Sequence, residues 1–262
     1  MKKFGKLIYL LLFIILLGGC FSSILKDKTN SSTNNDEKNS TSIVENVDFT
    51  ELTYIAFGDS ITKGYCNNAV MDTPYPKGVS EKLGLKSFTN LGISGADLVN
   101  STLVNEIGLN MSISNQVLAL DTYYDIISVN GGVNDWHYSQ PLGTINDNNN
   151  STIYGSLNVM ANHLKTNFPN SFIFFITPYN FNKNGNDGYT INDGGYSLED
   201  VSNAYKKIGI KYNIPILDLF HEGQYELEMY NSNSDGVHPT QEFVLKYSIP
   251  QITQFIKENY KK

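Results

Sequence analysis

The sequence predicts an α/β protein: a parallel sheet of about five strands with helices on both faces, a three-layer α/β/α sandwich. Three observations carry this. Short apolar runs recur along the chain after residue 50, and stretches of helical spacing separate them. The runs are continuous rather than alternating, as strands covered on both faces must be.

Taken in order, residues 52–57 (Leu-Thr-Tyr-Ile-Ala-Phe) form the first predicted strand. Residues 75–83 have helical spacing, with Gly84 as a stop signal. A weaker strand covers 86–91, a helix 112–120 and a third strand 125–130. A long helix over 151–168 ends at Pro169, and Ser-Phe-Ile-Phe-Phe-Ile-Thr at 171–177, closed by Pro178, is the clearest buried strand. A helix over 198–212, a fifth strand over 214–220 and a closing helix over 242–260 complete the pattern. The stretch 180–195 is too long and polar for a simple connection, and reads as a lid or a surface excursion.

The first 48 residues stand apart from this pattern. Lys2, Lys3 and Lys6 precede an apolar run over 7–17, followed by Leu17-Gly18-Gly19-Cys20. A basic start, a short apolar segment and a small-residue exit describe a secretory signal peptide, and the segment is shorter than the roughly 20 residues a spanning helix needs. Leu-Gly-Gly-Cys resembles the bacterial lipobox, which implies a signal peptide over 1–19 and lipidation of Cys20. Residues 20–48 are rich in Ser, Asn, Thr, Asp and Lys. They cannot bury enough surface to fold and read as a tether with a reach of roughly 30 Å. The folded body then spans 49–262, on the outer side of a membrane that the lipid would hold.

Formal net charge is −7, or −10 without the three leader lysines, and the chain has no arginine. An acidic chain without arginine is a poor nucleic-acid partner, because phosphate recognition draws on arginine forks. Only Cys20 and Cys66 are present, so no internal disulfide is expected if Cys20 is acylated. No His, Cys and Asp cluster has metal-ligand spacing, and neither a metal nor another cofactor is expected.

Four short motifs fall where ligand sites of parallel sheets lie, at the carboxyl ends of strands. Gly58-Asp59-Ser60 follows the first strand and Asn90-Leu91-Gly92-Ile93-Ser94-Gly95 the second. Asn130-Gly131-Gly132-Val133-Asn134-Asp135 follows the third, and Asp235-Gly236-Val237-His238-Pro239 precedes the last helix. Each alone is ordinary turn chemistry. Together they supply what serine-ester chemistry requires: a hydroxyl, a histidine base, a carboxylate to hold it, and amide donors for an oxyanion.

These blocks, in this order over residues 52–260, resemble those of the SGNH hydrolases, the GDSL esterases and lipases. The resemblance implies a flavodoxin-like sandwich in which Ser60 is the nucleophile, His238 the base and Asp235 its orienting group. It also implies an oxyanion hole formed by the backbone amides of Ser60 and Gly95 and the side-chain amide of Asn134. Gly95 rather than Gly92 is assigned, because the family's glycine follows the serine of an Asn-x-x-x-Ser-Gly run. Gly-x-Ser-x-Gly is absent, so the sharp elbow of the α/β-hydrolases does not apply; Ser60 should instead begin a helix.

Around this core, Trp136 and His137 are candidate substrate-binding residues, while Asp59 and Asp135 read as supports for their loops. His163 and His221 read as surface or packing residues. The expected activity is hydrolysis of small esters or acylated glycans through an acyl-enzyme, with removal of acetyl groups from cell-wall or environmental glycans as the first choice. Lipase, lysophospholipase or thioesterase action on lipid acyl esters is the alternative, and an inactive surface-binding protein the rival of another class.

Overall fold

Alternation along each strand decides how the layers form. In the computed structural model, which describes residues 47–183, 186–224 and 235–261, five parallel strands run β1 (Thr53–Gly58), β2 (Ser87–Gly92), β3 (Ile126–Asn130), β4 (Phe172–Ile176) and β5 (Ile216–Leu217). Their order in the sheet is β2-β1-β3-β4-β5, the flavodoxin-like arrangement. Ile55, Phe57, Ile127, Val129, Ile173 and Phe175 face one side and join one buried cluster. Tyr54, Ala56, Ile126, Phe174 and Ile176 face the other and join a second. Both faces are apolar because both are covered, and each fully buried Phe or Ile stabilises the fold by roughly 1.5–3 kcal/mol.

The helices follow as α1 (Ser60–Lys63), α2 (Tyr75–Leu83), α3 (Ile113–Leu118), α4 (Val133–His137), α5 (Ile153–Asn167), α6 (Leu198–Tyr212), α7 (Leu219–Glu222), α8 (Gln241–Phe243) and α9 (Ile249–Asn259). The last two are joined through a π-helical turn, Val244–Ser248. Helix α5 presents Leu157, Met160 and Leu164, and α6 presents Val201, Tyr205 and Ile208, to the first cluster. Helix α2 presents Tyr75, Val79 and Leu83, and α9 presents Ile249, Ile252 and Ile256, to the second. Among the described residues no helix is long and apolar enough to cross a membrane.

Local signals set the helix ends. Thr152 caps α5 by accepting from the Gly155 N–H, Ser112 caps α3 through the Asn115 N–H, and Ser197 with Asp200 forms a capping box on α6. Helix α2 ends at Gly84, as its stop signal predicts.

The fifth strand is shorter than expected. Pro215 has no N–H to give the ladder, so its carbonyl accepts from Phe175 while only Ile216–Leu217 pair. Leu219 and Phe220 then enter the turn of α7, where the Phe220 N–H donates to Thr177 Oγ1 at 2.9 Å. Strand β2, weak in sequence, lies at the sheet edge, and Phe88 on it remains exposed. The signal peptide, Cys20 and nearly all of the tether expected over 20–48 lie outside the described residues.

Candidate active site

Between β1 and β3 the strand order changes direction, and a crevice opens beyond their carboxyl ends. Ser60 leaves β1 at the first position of α1. Asp59, buried beneath it, caps that helix by accepting from the Ile61 N–H at 2.9 Å. Burial pushes the Asp59 carboxyl up to about 6, against the pull of the Ile61 N–H and of nearby His238. As expected for a chain lacking the sharp elbow, Ser60 sits at a helix start, where backbone N–H groups have no intrahelical acceptor.

His238 and Asp235 come from the segment before α8. His238 Nε2 lies 2.7 Å from Ser60 Oγ, and His238 Nδ1 lies 2.7 Å from Asp235 Oδ2. The other Asp235 oxygen accepts from the backbone N–H groups of Val237 (3.0 Å) and His238 (2.9 Å). Burial alone would raise the Asp235 carboxyl, but these donors and the imidazole hold it below its ordinary value. The carboxylate stays ionised and fixes the ring's orientation. Tyr65 places its ring edge-on to the imidazole, with centroids 5.4 Å apart.

Gly92 and Gly95 take different positions. Gly92 closes β2 against α1, where a β-carbon would come within 2.1 Å of the Lys63 backbone nitrogen. Its N–H already donates to Asn90 Oδ1 at 2.9 Å. Gly95, at φ +80°, lines the crevice beside Ser60. Its N–H has no acceptor among the described residues. Asn134, on α4 after β3, also lines the crevice and donates one amide hydrogen to the Ala96 carbonyl at 2.9 Å.

The loop carrying Asn134 is pinned on all sides. Asn130 Nδ2 donates to the carbonyls of Ile176 and Thr177, and the Tyr205 hydroxyl to that of Gly131. Asp135 is fully buried and accepts from the N–H groups of Leu98 and Val99, clamping the segment after Gly95 to α4. Burial pushes the Asp135 carboxyl up to about 8; Asp97 adds to this, while the backbone donors oppose it. Asp135 is thus a support, as the sequence suggests.

The crevice is an open cleft of about 780 Å³ that takes in Ser60, Gly95, Asn134, Trp136, His137 and His238. Its remaining walls include Lys63, Tyr65, Tyr138, Phe181 and Lys183, none of which sequence reasoning singled out. Lys63 could have been found, since it lies one helical turn after Ser60. Phe181 and Lys183 could not, because they belong to the 180–195 excursion and reach the site only through the fold.

That excursion is a wall with fixed anchors. A hairpin pairs Asn182–Lys183 with Asn186–Asp187. Buried Asn180 accepts from the N–H groups of Phe181 and Gly188 at 2.7 Å. The Trp136 indole N–H donates to the Thr190 carbonyl at 3.1 Å, and its ring packs on Phe181. Trp136 therefore lines the cleft with its ring while its one polar group holds the wall. His137 stacks edge-on with Tyr138 at the cleft.

The other histidines lie elsewhere. His163 packs on Phe168 beside Asn167. His221 sits between Glu199 Oε1 (3.1 Å) and Asp218 Oδ2 (2.9 Å) and does not line the cleft. Cys66 is a half-buried thiol whose Sγ lies 3.9 Å from the His238 carbonyl. Among the described residues no group of His, Cys, Asp and Glu has the arrangement of a metal site.

A parallel α/β/α sandwich with a serine, a histidine and a carboxylate in hydrogen-bonded sequence at the carboxyl end of its sheet has the architecture of a serine hydrolase. Residues 56–243 match the GDSL-like lipase/acylhydrolase family model, and the chain belongs to that family, the SGNH hydrolases, enzymes that hydrolyse ester bonds. No curated protein sequence matches the chain.

Several solved structures share the fold. A protein from Lactobacillus plantarum is 24% identical, with 82% of this chain covering 100% of that one at a TM-score of 0.67. A possible lipase from Chitinophaga pinensis is 23% identical, with 79% and 98% covered and a TM-score of 0.63. A carbohydrate acetylesterase family member from Sinorhizobium meliloti is 16% identical, with 78% and 99% covered and a TM-score of 0.52. At these identities the likeness is one of fold.

Proposed function

We propose that the chain is a serine esterase that removes short acyl groups, acetyl above all, from extracellular or cell-wall glycans. The observation that carries its chemistry is the hydrogen-bonded run Ser60–His238–Asp235 at the mouth of the open cleft. Ser60 Oγ attacks the ester carbonyl as His238 Nε2 takes its proton. Asp235 holds the Nδ1–H and stabilises the imidazolium. The oxyanion is met by the N–H groups of Ser60 and Gly95 and by Asn134 Nδ2. Collapse expels the alcohol, which takes the proton from His238, and leaves an acyl group on Ser60. Water, deprotonated by His238, then attacks that acyl group and releases the carboxylic acid.

The glycan assignment is supported by the cleft's character. The lining combines the aromatic residues Tyr65, Trp136, Tyr138 and Phe181 with the polar residues Lys63, Lys183 and Asn186, and so suits amphipathic rings rather than a long alkyl chain. The likeness to a carbohydrate acetylesterase family member agrees with it. The lipobox-like Leu17-Gly18-Gly19-Cys20 supports placement outside the cell membrane, held by a lipid on Cys20.

A second reading, action on lipid acyl esters, is favoured by one observation. The segment that brings Glu106 to the cleft also exposes Leu103, Val104 and Ile107.

The test is a chain-length series on p-nitrophenyl esters beside acetate release from acetylated xylan and peptidoglycan. The glycan reading expects fastest turnover at acetate and release from at least one polymer; a rate peak at long chains with no release overturns it. Ser60→Ala and His238→Ala should each lose several orders of magnitude in turnover, and Ser60→Ala should lose labelling by a fluorophosphonate. Full activity in either variant overturns the mechanism.

A further inference from the structure

Two lysines of the cleft have no part in the chemistry just described. Lys63 lies three residues after Ser60 on α1, so their side chains share a face of that turn, with β-carbons about 5–6 Å apart. Lys183 belongs to the hairpin that backs onto Gly236, where an added β-carbon would stand 3.1 Å from Lys183 Cβ. Gly236 lies between Asp235 and His238. Lys63 therefore lines the cleft from the element that carries the serine, and Lys183 from the hairpin beside the segment that carries the histidine.

Neither lysine makes an ion pair or a side-chain hydrogen bond among the described residues. Glu106, which also lines the cleft, pairs with neither. The chain as a whole is acidic, at −7, and repels anions at a distance. Two cations beside the reacting groups, unpaired among the described residues, offset the carboxylates of Glu106 in the cleft and Asp235 on His238, and give an anionic substrate group partners there.

We propose that Lys63 and Lys183 bind a carboxylate on the substrate, so that the enzyme selects acyl esters of sugar acids over those of neutral sugars. This rests on the glycan reading above and narrows it. Ring faces of Tyr65 and Tyr138 hold the sugar, and the lysines hold the acid group near the acylated hydroxyl. The ester chemistry is unchanged; the lysines act on affinity and register.

The experiment uses two matched pairs. One is a methyl O-acetylglucoside with the corresponding O-acetylglucuronide, which differ in a carboxylate; the other is phenyl acetate with 4-acetoxybenzoate. Wild-type kcat/KM should favour the uronide, and Lys63→Gln and Lys183→Gln should each cut that preference roughly two- to fivefold. Lys165→Gln, at an exposed site on α5, should retain it. Raising salt from about 0.05 to about 0.5 M should weaken it in the wild type.

A wild type without preference, or a preference that survives both substitutions, overturns the proposal. A lysine-dependent preference on the aryl pair with neither sugar hydrolysed overturns the sugar-acid substrate together with the glycan reading. Sugar hydrolysis without any charge preference overturns the lysine site alone. Lysine-dependent hydrolysis of an anionic lysophospholipid, with the uronide untouched, overturns it in favour of a lipid headgroup.

Discussion

Asn134 Nδ2 donates to the Ala96 carbonyl at 2.9 Å, so the amide proposed as an oxyanion donor is also a tie between the loops after β2 and β3. One hydrogen holds its aim, and the other has no partner among the described residues. Preorganisation of this kind lets a donor act without reorienting at the moment of reaction.

Asn134→Ala should therefore lose about 10²–10³-fold in kcat on p-nitrophenyl acetate. It should also lower stability by about 1 kcal/mol, from the Ala96 hydrogen bond. Steady-state rates and urea melts of the same preparation separate the two effects. An unchanged kcat removes Asn134 from the oxyanion hole.

The two glycines of the second block should fail differently. Gly92→Ala forces a β-carbon into the backbone of α1, so the expected outcome is a strongly destabilised or unfolded chain. Gly95→Ala meets only the end of Met111 at 3.3 Å, but must hold φ +80°, which costs about 1–2 kcal/mol. That variant should fold and lose activity as its N–H shifts. Melting curves and kcat for both variants check the contrast, and a fully active Gly95→Ala would detach Gly95 from the chemistry.

Stability should fall as pH rises. Burial pushes Asp135 up to about 8 in the fold, while the unfolded chain releases that proton near pH 4. A raised folded-state value means the stabilising contribution is complete below about pH 4 and is lost as pH rises through about 8. Asp59, at about 6, adds to the loss at the lower end of that window. Urea midpoints should drop between about pH 4 and 8 and level off above that, with a flatter profile in Asp135→Asn. A wild-type midpoint that rises over that range contradicts the ionisation assigned to Asp135.

Trp136→Phe keeps a ring in the cleft but removes the donor to Thr190. If the indole's main task is to hold the 180–195 wall, KM for a glycan ester should rise several-fold with little change in kcat. Restoration of wild-type KM by the phenyl ring alone would assign Trp136 to substrate contact. Limited proteolysis within the wall gives an independent reading.

Much of this fold could be read directly from the chain. Parallel strands buried on both faces must be continuous apolar runs, and helix ends carry their own caps. Thus α2 over 75–83 and α6 over 198–212 start and stop where local chemistry says they should. The fifth strand was overextended because Leu219 and Phe220 look like strand residues, whereas Pro215 and the cap at Asp218 end the ladder early. The four motifs also carried the candidate groups that the fold brings together, since hydroxyl, imidazole, carboxylate and amide types are properties of residues.

Distance across the chain is not such a property. Ser60 and His238 are 178 positions apart, and only packing of the second cluster's helices brings them to 2.7 Å. The run Asn90 to Gly95 pointed to Gly95 over Gly92, but only the structure shows Gly95 at φ +80° lining the crevice and the Gly92 N–H held by Asn90. The cleft's walls at Phe181 and Lys183 arise from an excursion whose local sequence is polar and unpatterned. Local composition determined which chemistry this chain carries, because side-chain types and backbone caps act at short range. The sheet's order, and with it the meeting of four distant turns at one crevice, was decided by burial of both faces, which no single segment specifies.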